Sequence, residues 1–244
     1  MPKYTLNDKV FDVIDTAEKA YWLGFLWCDG SVIKRVRKST TYEFKLDLSE
    51  VDHEHVEALK KFLEATHPIR NYTTSGRTCY KPGNPISRLY ISQNQFGRTL
   101  QEKYGLIPGR TDTSKVTQAI PDCFVSDFIR GIIDADGSIV LSTTHCHKNS
   151  QTKKIIIQRK AAINFTTSSG LVEFVMNHLL EKGLIKQRLK TSKRHKERDG
   201  DYLELKIAGN LQIEKILDYL YKDSTIHLNR KYVKYLEIKE HNNR

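Results

Sequence analysis

The chain has 244 residues, enough for one large domain or two ordinary ones with a real core. No run reaches about 18 apolar residues and the first ten, MPKYTLNDKV, lack a leader's apolar segment, so a membrane-spanning or secreted protein is not expected and an intracellular one is. Forty Lys and Arg against 29 Asp and Glu give a net charge of +11, which points to a polyanion partner, and the four scattered cysteines form no Cys-x-x-Cys pair.

In chain order, Asp15 and Glu18 are spaced like a capping box ahead of an apolar helical run from Ala20 to Cys28, which stops at Asp29-Gly30. The period then changes to two: in YEFKLDL, Tyr42, Phe44, Leu46 and Leu48 share one face and Glu43, Lys45 and Asp47 the other, predicting a half-buried strand. A helical stretch over 51–64, strand-like runs near 68–74 and 86–92, and a helix near 94–104 follow. Pro121 and Asp122 then precede a second apolar helix, Phe124 to Ala135, which stops at Asp136-Gly137. After it the order returns: a strand over 153–166, a helix over 169–182, strands near 185–191 and 202–208, and a helix near 210–222.

The two halves keep step. Asp29 to Ser49 spans 20 positions and Asp136 to Thr167 spans 31, while Ser49 to Ser92 spans 43 and Thr167 to Ala208 spans 41. One hairpin in the second half therefore holds the difference. The expected architecture is α+β, two pseudo-twofold-related αββαββα halves over 1–115 and 116–244, each with an antiparallel sheet. Gly24 and Gly131 occupy matching places inside the two helices. A glycine there costs about 1 kcal/mol against alanine, which close approach of two backbones would offset. Helices packed side by side through these glycines would bring Asp29 and Asp136 together. Two carboxylates, with helix-end carbonyls such as those of Cys28 and Ala135, make a hard-oxygen site suited to Mg²⁺. A lone Asp-Gly would be read simply as a turn.

The segment IRGIIDADG at 129–137, and more loosely WLGFLWCDG at 22–30, resemble the LAGLIDADG motif of the homing endonucleases, with Ser31, Ser138 and the FIRG of 128–131 also fitting. The resemblance implies a single-chain member in which the motif helices form the central interface and curved antiparallel sheets form a saddle in the DNA major groove. It implies metal-binding roles for Asp29 and Asp136, with Mg²⁺ or Mn²⁺ supporting cleavage and Ca²⁺ standing in without it. The earlier acidic place of the motif is Asp134 in the second copy but Trp27 in the first, which leaves Asp134 a packing or capping residue. The auxiliary basic residue beside each site falls on Lys231 in HLNRKY and on Arg110 in LIPGRT, with Lys115 as its rival. Gln93 and Gln158 are further candidates for ordering water.

Basic strand-like stretches supply the expected DNA surface. KRVRK offers Lys34, Arg35 and Arg37; KQRLK places Lys186, Arg188 and Lys190 on one face at period two; KKIIIQRK contributes Gln158 and Lys160. Arg70, Tyr72, Arg88, Tyr90 and Ser92 give the first half its polar face, and Lys45 is a further expected DNA contact. Arg pairs with guanine and Gln or Asn with adenine in the major groove, whereas other contacts hold phosphates. His145 and His147 around Cys146 lack a second ligand pair at zinc spacing, and RHKERDGD reads as a hairpin tip turning at Asp199-Gly200. The expected activity is site-specific double-strand cleavage of a long asymmetric DNA target by a monomer, and the resemblance implies cleavage across the minor groove with short 3′ overhangs, in the service of intron or reading-frame copying. The rival expectation is a non-cleaving DNA-binding regulator or an intron RNA maturase of the same fold.

Overall fold

The computed structural model describes residues 4–36, 39–75, 83–108, 112–147, 155–193 and 201–243, and of 144–147 and 155–157 the backbone alone. The first predicted helix forms as α1 (Ala17–Asp29), buried without interruption from Ala20 to Trp27. A helix apolar all round belongs inside a core rather than on its surface. Its cap differs from expectation: the Thr16 side chain accepts from the Lys19 amide at 3.2 Å, while Asp15 instead pairs with the Lys19 ammonium at 2.7 Å. Threonine one residue nearer the helix has the extended backbone that a cap requires, and so displaces Asp15.

Gly30 continues directly into β1 (Gly30–Val36), which hairpins to β2 (Thr40–Ser49). A short 3₁₀ turn leads to α2 (His53–Phe62), then β3 (Ile69–Thr73), β4 (Pro85–Ser92) and α3 (Asn94–Arg98), which runs on as a π-turn to Lys103. The sheet order is β1-β2-β4-β3, antiparallel throughout. Strand β2 alternates as its sequence requires: Tyr42, Phe44, Leu46 and Leu48 are buried and Glu43, Lys45 and Asp47 are half-exposed. Each large apolar side chain buried in this way stabilises the fold by about 1.5–3 kcal/mol relative to exposure.

Helices α4 (Ser114–Gln118) and α5 (Val125–Asp136) follow, the latter preceded by a 3₁₀ turn over Asp122–Phe124. Gly137 then enters β5 (Gly137–His147), paired with β6 (Ile155–Ser168), followed by α6 (Ser169–Glu181), β7 (Thr191–Ser192), β8 (Tyr202–Ala208), α7 (Asn210–Tyr221) and α8 (Asn229–Asn242). The second sheet has the order β5-β6-β8-β7, the first sheet's order repeated. The fold is α+β, and the shared strand order is the structural trace of the duplication. The chain divides into compact units Met1–Ala135 and Asp136–Arg244, so most of α5 belongs to the first unit while its terminal Asp136 opens the second.

One predicted strand does not form. Residues 185–190 are bends and loop, and only Thr191 and Ser192 pair with β8. Gly183, at φ 65°, ends α6 in the left-handed region. Arg188 then turns back to the helix, donating to Asn177 at 2.7 Å and pairing with Glu173. The alternation in KQRLK therefore reflects a charged loop on a helix rather than a strand face.

Candidate nucleic-acid interface and metal-binding positions

The two motif helices meet through their glycines. A Cβ on Gly24 would lie 2.2 Å from the Phe128 carbonyl oxygen, and one on Gly131 only 2.1 Å from that of Tyr21. Any larger residue would push the helices apart, so glycine is required at both places by sterics. The interface also holds a polar core. The Tyr21 hydroxyl donates to the Asp134 carboxylate at 2.9 Å and lies 2.9 Å from His55 Nε2 of α2. Because that hydroxyl proton is committed to Asp134, the imidazole is the donor in the second bond. Arg130, also buried, pairs with Asp127 at 2.7 Å and sits 5.3 Å from the centre of the Tyr21 ring. Trp27 occupies the place equivalent to Asp134 and gives its indole N–H to the Tyr104 carbonyl at 3.0 Å. Asp134 is fully buried, so it packs the interface instead of facing a ligand.

Each helix delivers its last aspartate to the start of a strand. Asp29 is half-buried beside half-buried Cys28, and the Gly30 amide that follows bonds back to the Leu26 carbonyl. Gly30 has an extended backbone (φ −74°), so its glycine is not needed for a left-handed turn; a Cβ there would meet the Leu26 oxygen at 2.4 Å. Asp136 is exposed beside half-buried Ala135. Both Asp-Gly pairs thus join helix to strand without a turn between them. In the second unit Lys231, near the start of α8 and only 3% exposed, donates its ammonium to the carbonyl of Gly137, the residue after Asp136. Lys115, in α4, donates instead to the Glu102 carbonyl at 3.0 Å, and Arg110 lies outside the described residues.

Among the described residues no group of three or more His, Cys, Asp or Glu forms a ready-made metal cage. Asp29 and Asp136 are single carboxylates at accessible helix ends, next to backbone carbonyls. This donor chemistry fits Mg²⁺, which keeps several waters and takes one or two carboxylates plus substrate phosphates rather than an all-protein cage.

The polar face of the first sheet is built by register. Asp47, Arg88 and Arg70 lie in one row across β2, β4 and β3, and Ser31, Lys45 and Tyr90 in the next. Arg35 ion-pairs with Glu43 at 2.8 Å, and Lys45 with Asp47 at 3.4 Å. Burial alone would raise the Asp47 carboxyl, but hydrogen bonding and charge from Arg88 and Lys45 hold it below its ordinary value. Arg70 and Arg88 stand directly opposite each other, and like charges so placed repel unless an anion is near. Arg70, Asn71, Tyr72, Arg88 and Tyr90 line an open concavity of about 630 Å³ on this face.

Lys34 does not join that face. Like buried Val32 two residues earlier it points to the helix side, where its ammonium lies 5.5 Å from the Tyr42 ring centre and 3.8 Å from Glu102. Arg37 lies outside the described residues. In the second sheet Gln158 and Lys160 share a face with Asn164, Glu204 and Lys206, and Lys186 and Lys190 are exposed on the loop before β7. Asn164 and Lys206, directly paired in register, were not singled out in the sequence, although the alternation in YLELKIA marks Lys206 as outward. Among the described residues the buried Asn164 side-chain oxygen has no hydrogen-bond partner. Strand β5 runs through His145, Cys146 and His147, but their side chains, like residues 194–200 of the expected hairpin tip, lie outside the described residues. No helix among the described residues is long and apolar enough to cross a membrane.

No family model and no curated protein sequence matches the chain. Solved structures do. The meganuclease I-AabMI, bound to uncleaved DNA, is 12% identical, with 91% of this chain and 90% of that one aligned at a TM-score of 0.56. I-SmaMI, bound to an uncleaved DNA target in the presence of calcium ions, is 15% identical, with 92% of each chain aligned at 0.58. The homing endonuclease I-LtrWI, bound to target DNA, is 11% identical, with 94% and 92% aligned at 0.58.

Proposed function

We propose that this chain, which has the fold of the LAGLIDADG homing endonucleases, is a site-specific double-strand DNA endonuclease that depends on a divalent metal. The observation that carries the reading is the pair of aspartates, each at the end of a motif helix and each leading straight into a sheet with a charged polar face. In this reading Asp29 and Asp136 hold the metal against the phosphates, with the Cys28 and Ala135 carbonyls beside them. A bound Mg²⁺ would lower the pKa of a water and stabilise the leaving oxygen. Lys231, held by the Gly137 carbonyl, adds positive charge next to Asp136 where negative charge develops on the scissile phosphate.

The sheet faces carry recognition. Arg35, Lys45, Arg70, Tyr72, Arg88 and Tyr90 in the first half, and Gln158, Lys160, Asn164 and Lys206 in the second, meet base edges and phosphates of a long asymmetric target. Neutralising roughly eight phosphates gives a slope of about −7 in log affinity against log salt. The chain acts as a monomer, since both motifs lie in one polypeptide.

The test is selection of cleaved duplexes from a randomised library with Mg²⁺, with Ca²⁺ and EDTA as controls. The expected outcome is one enriched site cut on both strands with Mg²⁺ alone, and an Asp136→Asn variant that binds this site without cutting it. Cutting by that variant at the wild-type rate would remove Asp136 from the chemistry. Binding without cutting by the wild type would favour a regulator.

A further inference from the structure

Most cations on the first sheet's polar face have an acidic neighbour. Arg35 pairs with Glu43, and Arg88 and Lys45 share Asp47. Arg70 stands opposite Arg88, and among the described residues no carboxylate pairs with it. It also lines a second, smaller cavity of about 280 Å³, together with Tyr4, His67, Tyr90 and Ser92. Arg70 and Tyr90 border the larger concavity too, so the two hollows adjoin on this face. Tyr4 belongs to an N-terminal segment pinned to the connection between α2 and β3. The Thr5 amide donates to the Thr66 hydroxyl at 2.8 Å, the Thr66 amide to the Thr5 carbonyl at 2.9 Å, and the Asn7 amide to the Leu63 carbonyl at 2.8 Å.

The Tyr4 and His67 rings lie 5.1 Å apart between centres and give the cavity an aromatic wall. His67 is 7% exposed, and burial holds its imidazole below the ordinary value, so it adds no charge at neutral pH. Among the described residues that line the cavity, only Arg70 is charged. Base edges lie at the floor of a major groove about 8.5 Å deep, so a side chain must reach out to read them. Phosphates stand out from the duplex and can enter a hollow. A guanidinium meets two phosphate oxygens through parallel N–H bonds, and a wall that excludes water strengthens such a pair. We infer that this cavity seats one backbone phosphodiester of the target, with the Arg70 guanidinium as its partner. Arg70 then fixes the register of the duplex and carries no base preference of its own.

The inference rests on the DNA-binding reading above, and the experiment separates the two. Base preference is read from a randomised duplex pool in Ca²⁺ for the full chain, wild type and Arg70→Gln. Affinity for the selected duplex is then measured against salt for both proteins. The same duplex is also made with single uncharged methylphosphonates, one position at a time. The expected result for Arg70→Gln is a slope of log affinity against log salt shallower by about 0.9, with every base preference kept. One methylphosphonate position should make the wild-type slope shallower by the same amount and leave the variant's unchanged. Thermal unfolding checks that the variant keeps its fold. A variant that loses one base preference at an unchanged slope overturns the inference, as does a methylphosphonate scan identical in the two proteins; both results leave DNA recognition standing. Wild-type protein that enriches no sequence overturns both readings.

Discussion

The Tyr21 hydroxyl and the Asp134 carboxylate, 113 residues apart in sequence, meet at 2.9 Å between the two motif helices. The same motif position that resembles an acidic site residue is therefore an internal acceptor, and the helices are joined by a polar bond as well as by apolar packing. Tyr21→Phe removes a donor to a buried carboxylate and an acceptor from His55. A loss of about 1–3 kcal/mol is expected, seen as a lower unfolding midpoint in denaturant with an unchanged slope.

Gly24→Ala and Gly131→Ala test the helix contact directly. Each new Cβ would fall little more than 2 Å from a carbonyl oxygen of the other helix, against backbone that cannot rotate away. Overpacking of this kind costs about 1–3 kcal/mol and can cost more. Both variants should melt below wild type, and the double variant should not exceed the sum, because the two sites share one interface.

Tyr104 provides a pH test. Burial first, and the neighbouring Asp12 second, push its phenol up to about 12, while its hydroxyl donates to the Phe11 carbonyl at 2.6 Å. The folded value lies above the unfolded one of about 10, so the folded state keeps the proton longer. This contribution is complete below the unfolded value and is lost as pH rises from about 10 through about 12. Stability measured across that window should fall more steeply for wild type than for Tyr104→Phe; parallel curves would contradict the assignment.

Lys231→Met keeps the stem of the side chain and removes the ammonium that Gly137 accepts. If the charge acts on the scissile phosphate, the single-turnover cutting rate should drop about a hundredfold while binding in Ca²⁺ changes little. Equal losses in rate and affinity would reduce Lys231 to a phosphate contact.

Much of the fold was legible because its signals are local. The alternation from Tyr42 to Leu48 could only be a strand with one buried face, and Gly24 and Gly131 announced a close helix contact that sterics require. The misread parts are those where tertiary partners decide. KQRLK has the period of a strand, but Gly183 and the Glu173 and Asn177 acceptors hold Arg188 to a helix. Lys34 carries the right charge on the wrong side of β1, where Tyr42 and Glu102 receive it. The Tyr21–Asp134–His55 cluster and the Asp47 support of Arg88 join residues far apart in sequence, and no spacing rule could have found them.

The account turns on Asp29 and Asp136 as the metal-binding carboxylates, and ion binding tests that most directly. Mn²⁺ bound by the protein–DNA complex can be counted by electron paramagnetic resonance for wild type, Asp29→Asn and Asp136→Asn on the selected duplex. The account predicts that each substitution lowers the number of tightly bound ions and abolishes cutting without loss of duplex affinity. Undiminished Mn²⁺ binding in both variants would contradict it.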